Sequence, residues 1–189
     1  MTGEANGQAS RSFCRVAELR TAAMALAGHG WPVLRGTYGD RLSWRGRPRA
    51  VGLLPVDDNW ETAWTLSTAE AARWWADEPF SVLLACGHGV DCMELPGAAG
   101  HRVLSAVRDH GLRPPAMVTP VGTAVLFVRT PAGARPFLTS VSLRSGVSWV
   151  AVPPTSGYRW LPDSSPGSLD WTLPELAPAY EAVVAAIHM

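Results

Sequence analysis

Ser81-Val82-Leu83-Leu84-Ala85-Cys86-Gly87-His88-Gly89-Val90-Asp91-Cys92-Met93-Glu94-Leu95-Pro96 is the stretch that decides how the rest of the chain is read. Apolar residues run on from Val82 to Ala85 and from Val90 to Leu95, with Gly87-His88-Gly89 between them. The pattern predicts two short strands joined by a glycine-flanked turn. Two acids interrupt the second strand. A buried, unpaired carboxylate is costly, so Asp91 and Glu94 are expected to pair locally, to bind a metal, or to sit at a strand end in a cleft.

Working outward toward the N-terminus, Val16, Leu19, Ala23, Met24, Leu26 and Ala27 fall at helical spacing, and Gly28 and Gly30 supply a stop. Trp31 to Leu34 and Val51 to Leu54 read as short strands. Ser67 and Glu70 form a capping box that opens a helix ending near Pro79 and carrying Trp74 and Trp75, two rings read as core. Toward the C-terminus, His101 to His110 reads as a helix closed by Gly111. Residues 117–119, 123–128, 136–143 and 147–152 read as strands, and Tyr158 to Leu161 as a short return strand. Residues 1–12 lack periodicity and read as a disordered tail, and 13–189 as a single domain. Within it, a linker over 162–172 leads to a C-terminal helix over 174–188 that buries Leu176, Tyr180, Val183, Val184 and Ile187. The fold class expected is α+β, an antiparallel or mixed sheet with flanking helices.

The 189 residues, 47% of them hydrophobic, suit one globular domain with a sizeable core. Sixteen basic and sixteen acidic residues cancel, so no broad positive field argues for sequence-independent binding to phosphate backbones. All the basic residues are arginines, a bias that fits a GC-rich genome. Arg35, Arg41, Arg45, Arg47 and Arg49 make the one basic cluster, read either as a solvated loop or as a loop contacting phosphates. The three cysteines are odd in number and lack metal-site spacing. With no secretory signal, they are expected to be reduced thiols in the cytoplasm. No apolar run reaches the roughly 20 residues of a membrane span. The five histidines show no ligand-pair spacing, and no nucleophile elbow, phosphate loop or dinucleotide fingerprint occurs.

The order of several segments carries more than any one of them. Gly28-His29-Gly30-Trp31-Pro32-Val33 ends a helix, and Leu66-Ser67-Thr68-Ala69-Glu70-Ala71-Ala72-Arg73-Trp74-Trp75 opens another. After the central strand pair come Val118-Thr119-Pro120-Val121-Gly122-Thr123-Ala124-Val125-Leu126-Phe127, Val147-Ser148-Trp149-Val150-Ala151-Val152-Pro153-Pro154-Thr155 and Tyr158-Arg159-Trp160-Leu161. Together, over about residues 17 to 187, this set resembles the bifunctional DNA primase/polymerase (Prim-Pol) domain of the archaeo-eukaryotic primase superfamily. The resemblance implies an RRM-like sheet flanked by helices. It also implies two-metal nucleotidyl transfer, with two carboxylates two apart on one strand holding divalent ions, a histidine on the nucleotide phosphates and a third acid.

In the register of that resemblance the acid pair falls on Glu94 and Pro96, the histidine near Ala124 or Val125, and the third acid on Ser142 of Val141-Ser142-Leu143-Arg144. Only Arg144 matches from that last segment. The leading expectation is therefore a catalytically degenerate Prim-Pol-like domain with no cofactor, associated with DNA replication or mobile elements. Such a domain could bind nucleotide or single-stranded nucleic acid through Arg144, the Arg41, Arg45, Arg47 and Arg49 loop and exposed tryptophans, or serve as a protein-interaction module. The alternative is an active primase-polymerase using Mg or Mn at Asp91 and Glu94, joined by His88. Three apart on a strand, those acids face opposite sides unless a bulge at Cys92-Met93 re-aims one. A third reading is a protein-docking scaffold with no nucleic-acid role. No membrane partner is expected.

Overall fold

A computed structural model describes residues 3–40, 43–95, 99–130 and 141–187. It is α+β, and the chain divides into two compact units. Unit 1 comprises Met1–Leu84 together with Pro154–Ser156, and unit 2 comprises Ala85–Pro153 and Gly157–Met189. Three residues that return to the first unit from far along the chain leave no local composition signal, so the division is invisible to a linear reading. Arg41, Pro96 and residues 136–140 of an expected strand lie outside the described residues.

Unit 1 opens with α1, Gly3–Gly28. The helix takes in residues 3–12, which the sequence reads as a tail. Leu19, Ala23, Leu26 and Ala27 are buried from α1 together with Trp31 and Trp75. Strand β1, Val33–Gly36, starts two residues later than expected. It pairs antiparallel with β4, Ser81–Ala85, in the register Val33 to Leu84 and Gly36 to Ser81.

The arginine-rich stretch contains a hairpin of β2, Tyr38–Asp40, and β3, Ser43–Arg45, rather than a plain loop. Val51 to Leu54, expected as a strand, forms none. The Thr37 hydroxyl donates to the Gly52 carbonyl at 2.8 Å and accepts from the Leu54 amide at 2.9 Å, and the backbone pairing beside it is limited to a single bridge between Gly36 and Pro55. Helix α2, Thr68–Trp74, starts at the N-cap Ser67, whose side chain accepts from the Glu70 amide. The capping box is half made, because Glu70 turns to the Thr65 hydroxyl and that hydroxyl accepts from the Ser67 amide. Trp75 is fully buried with its ring nitrogen donating to the Phe80 carbonyl, whereas Trp74 is half-buried and faces the Arg35 guanidinium.

Unit 2 is built on an antiparallel sheet. Its strands are β5, Val90–Leu95; β6, Ala116–Val118; β7, Ala124–Arg129; β8, Ser142–Arg144; and β10, Arg159–Trp160, in the order β10-β6-β7-β5-β8. Strand β9 is Trp149–Ala151. Helices α3, Ala99–Asp109, and α4, Leu176–Ile187, cover one sheet face. Met93, Leu95, Leu126 and Val128 from that face pack with Val103, Leu104, Val107, Leu176 and Val183. Each such side chain contributes roughly 1.5–3 kcal/mol when removed from water. The buried stripe of α4 is Leu176, Ala179, Ala182 and Val183, and Ile187, expected inside, lies on the same stripe but is exposed as the last residue of the helix. The expected linker contains a short 3-10 turn at Gly167–Leu169 and is held near its start by Arg108 donating to the Pro162 carbonyl. No helix among the described residues is long and apolar enough to cross a membrane.

Candidate nucleotide-binding face

The five-stranded sheet of unit 2 gathers the positions that the resemblance singles out. Glu94 of β5 lies directly opposite Val125 of β7 on one side and Ser142 of β8 on the other. Val125 in turn opposes Met117, and Met117 opposes Trp160. Directly opposed residues of paired strands share a sheet face, so Trp160, Met117, Val125, Glu94 and Ser142 form one row across all five strands. Cys92 and Arg144 form part of the neighbouring row on the same face, since alternate residues of a strand point the same way. This is the face opposite α3 and α4.

Chemically, the row pairs an acid with an arginine. The Arg144 Nε donates to Glu94 Oε1 at 2.5 Å, and that carboxylate holds the guanidinium above the usual arginine range, although partial burial works against it. The Glu94 side chain is 22% exposed and that of Arg144 44%, so the arginine keeps a solvent-facing side. Tyr158, half-buried, lies within electrostatic reach of both. Burial raises its phenol above the ordinary value, with Arg144 lowering it and Glu94 raising it. The Trp160 ring sits 5.6 Å from that of Phe127, also on this face.

Asp91 is placed elsewhere. The β5–β7 register runs without interruption from Val90 opposite Arg129 to Leu95 opposite Ala124, so no bulge at Cys92-Met93 turns Asp91 toward Glu94. Asp91 projects to the helix-covered side and is completely buried. One of its oxygens accepts from the Gly87 amide at 2.7 Å, and the other accepts from the Ser145 hydroxyl. It thereby ties the β4–β5 turn to the segment after β8. Gly87 is required there twice over: its φ is +90°, and a Cβ would lie 2.7 Å from the Gly146 backbone. His88 is exposed on the same turn, at the far end of β5 from Glu94.

The residues present do not fit a pair of divalent ions. Two-metal transfer needs carboxylate oxygens converging on shared cations. Here the positions flanking Glu94 are a valine and a serine, neither of which supplies a carboxylate, and the Glu94 carboxylate is already paired with the Arg144 guanidinium. Among the described residues no three His, Cys, Asp or Glu side chains gather closely enough to share an ion. Cys86 and Cys92 are free, buried thiols. A hydrogen bond to Cys86, then burial, pushes the Cys92 thiol well above its ordinary value, which leaves it unreactive.

The arginines of the hairpin region belong to unit 1 and are largely matched by acids. Arg35 makes bonds of 3.0 and 3.1 Å to both Asp57 oxygens, Arg47 pairs with Asp58, and Arg45 lies 3.5 Å from Asp40 with both side chains more than half exposed. Arg49 sits in a left-handed conformation with φ of 59°. Tyr158 and Trp160 were not singled out from sequence as site residues. The signal that finds them is the alternation in Tyr158-Arg159-Trp160, which puts both rings on the face of Arg144 once β10 is placed in the sheet.

The comparisons with known proteins agree with this architecture. No curated protein matches the chain. The family model described as bifunctional DNA primase/polymerase, N-terminal, matches residues 23–179, which takes in the end of α1, all of α2, the whole five-stranded sheet and the start of the last helix. The chain belongs to the Prim-Pol family of bifunctional DNA primase/polymerase N-terminal domains.

Proposed function

We propose that this Prim-Pol domain has given up metal-dependent nucleotidyl transfer and binds nucleotide or single-stranded nucleic acid on the Arg144 face of its sheet. The observation that carries this reading is the Glu94–Arg144 pair. A carboxylate engaged by an internal guanidinium has its charge met without a metal, and the second acid of the stretch, Asp91, is committed to the turn on the opposite face. Met117, Val125, Cys92 and Phe127 on this face are fully buried, so what it offers a ligand lies at its edges, at Arg144, Tyr158 and Trp160. Arg144 presents the remaining N–H groups of its fork for phosphate oxygens, and Tyr158 and Trp160 offer ring faces for bases. Within unit 1, taken by itself, Arg45, weakly held by Asp40, and Arg49 are separate candidate phosphate contacts.

The test combines primer extension and strand binding on the purified protein. With Mg²⁺ or Mn²⁺ and all four deoxynucleotides no extension is expected, while a labelled single strand binds at low salt and is released by Arg144→Ala. Extension that disappears in Glu94→Gln or Asp91→Asn would overturn the reading and establish an active polymerase. Absence of any nucleotide or strand binding, with a stable protein partner captured instead, would overturn it in favour of a docking scaffold.

A further inference from the structure

Unit 1 contains a cavity of about 210 Å³ that the face described above does not use. Its walls include Arg15, Tyr38, Gly39, Trp44, Ser81 and Ser156, with Leu19 among the apolar part. Three features make it more than a surface dent. Trp44 of β3 is directly opposed by Gly39 of β2, so the two share a face of the hairpin. Gly39 does not adopt a positive φ, and a Cβ built on it would meet nothing within 4 Å. The backbone therefore does not demand a glycine there. What the missing side chain does is leave open space beside a large, 36% exposed indole.

The second feature is the far wall. Pro154–Ser156, the three residues that return to unit 1, carry it. The Pro154 carbonyl accepts from Arg15 Nη2, the Thr155 hydroxyl bonds both the Val82 amide and carbonyl, and Ser156 lines the cavity. Pro154 and Thr155 are the last two residues of the Trp-Val-Ala-Val-Pro-Pro-Thr motif, and the Arg144 face has no use for them. The third feature is the cation. Arg15 Nη1 is held by Glu18 across one helical turn at 2.9 Å, with the two side chains 34% and 56% exposed, so a ligand acceptor can compete for it.

From these we infer a second ligand subsite: the unit 1 cavity takes a single planar nucleobase, stacked on Trp44 over Gly39, with its carbonyl edge toward Arg15 and the serine hydroxyls. The volume is below the roughly 300–1,000 Å³ of pockets that enclose drug-sized molecules, so one ring enters and the sugar and phosphate stay outside. That the ring is a nucleobase rests on the proposed function; that the cavity accepts a planar ring with acceptors on its edge rests on the lining alone. The base can come from a free nucleotide or from a nucleotide within a strand.

The test uses the full chain with two probes, thymidine monophosphate observed by saturation-transfer NMR and fluorescein-labelled dT12 observed by anisotropy. Trp44→Ala is expected to weaken binding about 5- to 150-fold, the range for loss of one stacked base, and Trp44→Phe to restore most of it. Gly39→Val, whose Cβ meets nothing within 4 Å, is expected to abolish entry by filling the space, with circular dichroism checking that the fold is kept. Effects on both probes assign the site to free nucleotide as well as strand, and effects on dT12 alone assign it to the strand. Binding unchanged in Trp44→Ala and Gly39→Val but lost in Arg144→Ala overturns the cavity and leaves the Arg144 reading standing. The reverse pattern keeps the cavity and removes that reading, and failure of the wild-type protein to bind either probe overturns both.

Discussion

Replacing Asp91 by alanine separates a structural carboxylate from a metal ligand. Asp91 is completely buried and accepts two hydrogen bonds, from the Gly87 amide at 2.7 Å and from the Ser145 hydroxyl. Hydrogen bonds to a charged group contribute about 1.5–3 kcal/mol each. The Gly87 amide keeps a second acceptor, the Val90 carbonyl at 3.1 Å, so the loss at that end is partial. The Ser145 hydroxyl keeps none that the turn provides. We expect Asp91→Ala to lower the unfolding free energy by about 3–5 kcal/mol, and Asp91→Asn, which retains one acceptor oxygen, by about half as much. Urea unfolding followed by circular dichroism measures both, with the slope of free energy against urea checked for constancy. A loss under about 1 kcal/mol for Asp91→Ala at unchanged slope would refute the assignment, because it would mean the carboxylate is not holding the turn.

Three further outcomes follow from other groups. Arg144→Ala should cost only about 1 kcal/mol in stability, since the pair is partly exposed. It should nevertheless reduce the salt dependence of single-strand binding by about 0.7 in log–log slope, one phosphate contact's worth. Burial and the hydrogen bond to Glu78 raise the Tyr38 phenol to about 12, so in an ultraviolet pH titration one tyrosine should ionise there, and Glu78→Gln should bring it down. Because the folded-state value is raised, the associated stabilisation is complete below pH 10, the unfolded value, and is lost as pH rises toward 12. With a disulfide reagent such as Ellman's, the native protein should release one equivalent quickly, from the exposed Cys14, and the denatured protein three; fast labelling of Cys92 would contradict its burial.

The local part of the fold is legible in the sequence. The strands around Gly87-His88-Gly89, the start of the helix behind Ser67 and the strand through Leu126 each rest on contrasts between neighbouring residues, and each lies where the spacing puts it, although that helix ends at Trp74 rather than near Pro79. Relations between distant residues are not legible in this way. Ser145 reaches Asp91 from 54 positions away, and the Thr37 hydroxyl accepts from the Leu54 amide across 17. The pattern lists Asp91 and Glu94 as two acids of one strand, and only the unbroken register with β7 separates their faces. The row joining Glu94, Val125 and Ser142 is a mixed case: the resemblance names the three positions, and sheet pairing is what puts them side by side.

Manganese binding at Glu94 tests the central claim most directly. A titration of the purified protein with Mn²⁺, followed by the free-ion electron paramagnetic resonance signal, should show no saturable site below about millimolar concentration, with wild type and Glu94→Gln superimposing. Stoichiometric uptake at micromolar Mn²⁺ that vanishes in Glu94→Gln would mean that the carboxylate prefers a metal to Arg144, and the account would fail.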